Sequence, residues 1–205
     1  MKRHSWGVVP LRSQRRPTLA LPLGTASQLR AAQISVLPEF ETALPFRRER
    51  WNQIQAFAPH ILIGYGFDLH RLAKSIRDGH CELTTVDRAI FALTDCGSTP
   101  ISEALREQLW HTFSVPLYEM IIAPGSTVLA AECELHNGWH LQEGAEAYLL
   151  KGELVYDAPP LTGTHTGFTC DIDREPCDCG RPTPRLKNLT PFLPRPYENR
   201  IAAVA

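Results

Sequence analysis

No uninterrupted apolar run in these 205 residues approaches the 18 or more that a membrane-spanning helix requires, so no membrane partner is expected. A secretory hydrophobic region is also lacking, which points to a reducing compartment, the cytoplasm, and against a disulfide framework for the six cysteines. Acid is missing from residues 1–38, which hold six Lys/Arg. The other 167 residues therefore carry 15 basic and all 22 acidic groups, a net charge of −7. An arginine-rich, acid-free start suits a solvated tail or sheet-edge segment, an organelle transit peptide or a nucleic-acid arm. Arg12, Arg15 and Arg16 are too sparse for a nucleic-acid patch, and no aromatic residues interleave them for stacking, so nucleic acid is not expected as a partner. The chain has no internal repeats. Its length and its 43% hydrophobic and 21% charged content are those of a globular chain with ample residues for a core.

What is present is thiol chemistry in a suggestive pattern. Cys177-Asp178-Cys179-Gly180-Arg181 follows an upstream Cys133 with His136 and His140 close behind. Three thiolates and an imidazole are what a closed tetrahedral zinc site needs, and a glycine after the second cysteine can take the positive φ of a tight turn. Two cysteines one residue apart are a weaker signal than paired C-x-x-C motifs. Buried free cysteines acting as small hydrophobes are the plain alternative. Cys96, at a strand-to-helix turn, has the position of a nucleophile but no visible partner base. The pairs Asp68/His70 and Asp95/His111 lack any nucleophile signature.

Periodicity predicts a helix over 48–57, a strand over 61–65, and a helix with Leu69, Leu72, Ala73 and Ile76 on one stripe, capped near Gly79. A strand over 88–94, a helix from about 99 to 113 with proline in its first turn, and a strand over 117–122 follow. This alternation implies crossover units on a largely parallel sheet. Beyond residue 127 short strands dominate (128–133, 145–150, 153–156), and the thiol and imidazole groups fall at loop positions. The chain thus divides into a basic N-terminal segment (1–47), an α/β part (48–126), a β-rich metal-binding part (127–190) and a Pro-rich tail (191–205).

Over residues 55 to 190 the chain resembles the phenylacetate–coenzyme A ligase branch of the adenylate-forming enzymes. The motifs that carry the likeness are Phe57-Ala58-Pro59 through Gly64-Tyr65, Leu69 to Ala73, Gly97-Ser98-Thr99-Pro100, Pro116-Leu117-Tyr118-Glu119, Glu132-Cys133, Gly138-Trp139-His140 and Cys177-Asp178-Cys179-Gly180-Arg181. The resemblance implies an α/β fold, a fragment of the adenylate-forming large domain in which crossover units precede a β-rich, zinc-stapled segment. It implies a structural metal at Cys133, His140, Cys177 and Cys179, with His136 the rival imidazole. It also shows what the chain replaces. The family's Y-G-x-T-E motif falls on Ile121-Ile122-Ala123-Pro124-Gly125, its ribose-gripping aspartate on Phe168, and its G-x-E-P glutamate on Thr99. Of the nucleotide site only Gly97, Ser98, Thr99, Thr166 and Gly167 remain as weak remnants, and His165 stands where the family has arginine. The phosphate loop and the lid domain with its lysine have no counterpart. Adenylation depends on electrostatic clamping of phosphates, so neither ATP–Mg²⁺ binding nor catalysis is expected. The expected function is that of a zinc-binding, non-catalytic accessory or binding subunit. The alternative is one component of an acyl- or aryl-coenzyme A ligase completed by a partner chain. A fragment of this fold leaves a face that its parent buries, so a homodimer or hetero-complex is expected, with residues 1–38 taking part.

Overall fold

The computed structural model describes residues 29–34, 40, 43–47, 49–123, 127–159 and 161–193. In chain order the elements are β1 (Ala31–Gln33), β2 (Ala43–Pro45), α1 (Trp51–Phe57), β3 (Ile61–Tyr65), α2 (Gly66–Arg77), β4 (Ala89–Asp95), α3 (Glu103–Phe113) and β5 (Leu117–Ala123). Then come β6 (Thr127–Glu132), β7 (Trp139–Leu141), β8 (Glu146–Leu150), β9 (Glu153–Ala158), β10 (Leu161–His165), β11 (Phe168–Asp173) and β12 (Arg185–Pro191).

Nine strands form one mixed sheet in the order β11-β12-β7-β6-β5-β4-β3-β1-β2. From β2 to β5 every neighbouring pair is parallel, and from β5 to β11 every pair is antiparallel. The parallel half arises because β3, β4 and β5 are near-continuous apolar runs, the pattern of strands covered on both faces. One face packs Leu62, Ile90 and Ala92 against Leu69, Leu72 and Leu109 of α2 and α3. The other face, with Ile63, Phe91, Leu93 and Met120, is equally buried. A second core fills the antiparallel half, where Phe168, Cys170 and Leu186 meet Ala147, Leu154 and Tyr156 of the three-stranded sheet β10-β9-β8.

This is the mixed α/β architecture expected, a large sheet with few helices, but four details differ. α1 begins at Trp51. α3 begins at Glu103 because the Ser102 side chain caps the Leu105 N–H, while the Ile101 N–H is taken by Glu119; Pro100 lies outside the helix. β1, β2, β7 and β10 to β12 were not foreseen, and β12 runs between β7 and β11. The stretch around Leu19–Leu23, and Pro124-Gly125, lie outside the described residues.

Candidate metal centre

Three chain segments converge at one end of β6, β7 and β12. Cys133 follows directly on β6, His140 is the middle residue of β7, and Cys177 and Cys179 sit in the turn between β11 and β12. His140 is therefore a strand residue and not a loop residue. Its pairing opposite both Ala131 and Arg185 fixes its height in the sheet. The Gly180 N–H donates to the Cys177 carbonyl at 2.9 Å, closing the turn that turns both thiols inward. Upstream, Gly138 stands at φ 91°, and a Cβ there would lie 2.5 Å from the Leu186 carbonyl oxygen. Only glycine allows β12 to pass so close to the loop carrying Cys133.

The four ligand atoms all lie within 4.8 Å of one another. The Cys133 and Cys177 sulfurs are 4.0 Å apart, and Cys179 Sγ is 3.4 Å from His140 Nε2. A tetrahedral ion with bonds of about 2.3 Å to sulfur and about 2.0 Å to nitrogen sets its ligand atoms about 3.5–3.8 Å apart. The sulfurs are far beyond disulfide length, and all six cysteines are free thiols. Cys133, His140 and Cys177 are buried and Cys179 is partly buried. His140 Nδ1 donates to the Thr183 carbonyl at 3.1 Å, which leaves Nε2 with its lone pair toward the cysteines. This is the outer contact that orients metal-ligating imidazoles. Burial holds the His140 pKa below its ordinary value, favouring the neutral ring a metal requires. The backbone N–H of Cys179 lowers the Cys177 thiol, while burial pushes Cys179 up to about 11. This group of three thiols and one imidazole could hold a metal ion. His136 is not part of it. Its ring stacks on Tyr118 at a centroid distance of 5.2 Å, with Nδ1 3.8 Å from Glu132.

Next to the cluster lies a charge network that the sequence reading missed. Arg106 of α3 makes two hydrogen bonds to Glu132, at 3.1 and 2.8 Å, and one to Glu119 at 3.1 Å. Glu119, fully buried in β5, also accepts from the Ile101 N–H and the Thr94 hydroxyl. Burial raises its pKa. A lone glutamate inside an otherwise apolar strand was the available signal.

The nucleotide-site remnants are also brought together. Gly97 and Gly167 both have positive φ, and a Cβ on Gly167 would lie 2.8 Å from Gly97 Cα. Thr166 is buried and donates to the Leu154 carbonyl. Phe168 is 0% exposed within the second core. His165 pairs with Glu153, whose other oxygen accepts from the Gly167 N–H. Burial pushes the Cys96 thiol up to about 12, which disfavours the thiolate that a nucleophile needs. His70 bonds to Gln108, Asp95 accepts from Tyr65, and His111 lies 3.7 Å from Glu107.

No protein-family model matches the chain, and no curated protein matches it. Solved structures do. The chain is similar to 2-hydroxyisobutyryl-CoA ligase in an open conformation in complex with 2-HIB-AMP and CoA, with a TM-score of 0.60 at 13% identity over 77% of this chain and 43% of that one. It is similar to the same ligase in the thioesterification state, at 0.60 and 14% over 77% and 42%, and in the postadenylation state with 2-HIB-AMP, at 0.57 and 14% over 77% and 42%. The likeness is one of fold: the architecture matches part of an adenylate-forming acyl-CoA ligase. The chain spans less than half the length of these ligases. Among the described residues no helix is long and apolar enough to cross a membrane.

Proposed function

We propose that this chain is a zinc-stapled, non-catalytic relative of the phenylacetate–coenzyme A ligases that serves as a binding or accessory subunit in the cytoplasm, within a homodimer or hetero-complex. The observation that carries the non-catalytic part is Phe168. It occupies the position where the resemblance expects a ribose-binding aspartate, and it is wholly buried in the second core. A hydrophobic ring there offers no acceptor to a ribose. The touching backbones of Gly97 and Gly167 support the same reading, since the remnants pack on each other. Zinc is favoured by the donor set: thiolates select soft or borderline ions, and a Cys₃His set leaves no open position for catalysis. The test is ATP–pyrophosphate exchange with a panel of aryl and fatty acids, run on protein of known zinc content. No exchange above background is expected, and any saturable exchange would overturn the non-catalytic reading.

The fold likeness favours a second reading, one component of an acyl-CoA ligase completed by another chain. A partner could supply phosphate-binding segments but not a carboxylate at residue 168. Co-purification with a chain carrying those segments, and exchange activity of the complex, would decide for it.

A further inference from the structure

A cavity of about 870 Å³ opens between α3 and the strands β5, β6 and β7, separate from the thiol cluster but built on the same segment. Residues 132–140 alternate between the two. Glu132, Glu134, His136 and Trp139 line the cavity, whereas Cys133 and His140 belong to the metal centre. Across the opening α3 contributes Glu103, Glu107 and Trp110. Among the described residues Arg106 is the one Lys/Arg side chain in the lining, and it is held between Glu119 and Glu132. The inner wall is thus a hydrogen-bonded Glu119–Arg106–Glu132 set, and the remaining carboxylates stand at the rim. At the rim Glu134 pairs with Arg181 and Glu107 lies 3.7 Å from His111, while Glu103 adds a further carboxylate. Trp110, 55% exposed, presents an indole to the opening. The indole N–H of Trp139, a residue of the cavity wall, is buried without a hydrogen-bond partner among the described residues.

Carboxylates around an aromatic wall attract a cation twice, by Coulomb interaction and through the ring face. A carboxylic acid would meet like charge. The volume lies within the range of small-molecule sites, about 300–1,000 Å³. We propose that this groove binds a small organic cation, an ammonium on a largely apolar body, and that the metal holds its inner wall in place. The second clause rests on the zinc reading above.

The test compares tyramine with 3-(4-hydroxyphenyl)propanoate, which carries a carboxylate where tyramine carries its ammonium. Isothermal titration of the full chain as isolated should show saturable one-to-one binding of tyramine and binding of the acid at least about tenfold weaker. The double variant Glu103→Gln/Glu134→Gln should weaken tyramine about tenfold. Trp110→Ala, at an exposed position, should weaken it a few-fold. Equal binding of the two compounds, no binding up to millimolar concentration, or an unchanged affinity in the double variant would overturn the cation site. Metal content is measured on the same samples. Chelated protein should lose tyramine binding and regain it with zinc. Chelated protein that keeps its near-UV circular dichroism and its tyramine affinity would refute the wall-holding role while leaving the zinc reading intact. Protein isolated without metal would refute the zinc reading, and the tyramine comparison would still decide the groove.

Discussion

Cys179 Sγ lies 3.4 Å from Nε2 of His140, joining the β11–β12 turn to the middle of a strand 39 residues earlier. With Cys133 and Cys177 this ties two antiparallel strand pairs at one point. In such sites binding energy is also folding energy, about 10 kcal/mol or more in isolated zinc-finger peptides. Elemental analysis of protein never exposed to chelator should find about one zinc per chain. Cys177→Ser and His140→Ala should lose it, and His136→Ala, whose ring stacks on Tyr118, should keep it. Less than half an equivalent in the parent protein, or loss in the His136 variant alone, would refute the assignment.

The approach of Gly138 to β12 gives a second test. Gly138→Ala would place a Cβ 2.5 Å from a backbone oxygen at φ 91°, and Gly144→Ala, at φ 77°, meets nothing within 4 Å. Both carry the cost of a positive φ, about 1 kcal/mol, and only the first adds a backbone clash of about 2 kcal/mol more. Urea midpoints should separate the two variants, with Gly138→Ala also weakening metal retention. Equal midpoints would show that the loop yields without cost.

β3, β4 and β5 were legible because they are buried on both faces and the helices between them carry one apolar stripe each, whereas the three-residue β1 and β2 were not. β3 falls where the pattern placed it, and the Leu69/Leu72/Ala73 stripe of α2 is buried. β7 was not legible, because three residues give no alternation to read. β12 was hidden by its composition: Lys187, Asn188 and Thr190 interrupt any strand pattern, although Leu186 and Leu189 face the core. The metal ligands were visible as residue types with a resemblance to order them. The choice between His136 and His140 was not, since it depends on strand pairing that places His140 beside Arg185. The Arg106–Glu119–Glu132 network escaped for the same reason: its members come from three elements, and only packing brings them together.

That network predicts an unusual pH response. Burial raises the Glu119 pKa, so its protonated form is favoured in the folded state. The folded chain then binds the proton more tightly than the unfolded chain. Stability from this group is fully present below the ordinary carboxylate pKa and is lost as pH rises through the raised one. Arg106→Met removes the one guanidinium shared by Glu119 and Glu132. It should cost about 3–5 kcal/mol near neutral pH, with part regained on acidification toward about pH 5. Urea unfolding of variant and parent across that range measures it. A loss that is the same at both ends of the range would show that the buried carboxylates do not control it.

Phe168 offers a direct contrast between lost chemistry and acquired packing. Phe168→Asp would restore the carboxylate that the resemblance expects, but inside a core with Phe168 at 0% exposure. Removing the ring costs about 3–5 kcal/mol, and burying an unpaired carboxylate adds to that. The variant should be severely destabilised and show no pyrophosphate exchange. A stable variant, or one that gains exchange, would mean that this position still belongs to a nucleotide site.

The proposed assembly turns on residues 1–28, which precede β1. β1 is an interior strand between β2 and β3, and Ala31, Ala32, Gln33 and Ile34 are buried. Deleting residues 1–38 would therefore remove a piece of the main sheet and expose strand edges, and aggregation would follow whether or not an interface was lost. Deleting only 1–28 leaves β1 in place and asks the narrower question. If the acid-free segment, with its apolar Leu19, Leu21 and Leu23, contributes to an interface, sedimentation should show a smaller or heterogeneous species while thermal unfolding of the sheet is little changed. A truncated chain of the same oligomeric size and the same stability as the parent would remove this segment from the assembly, leaving any interface to be built from residues 29 onward.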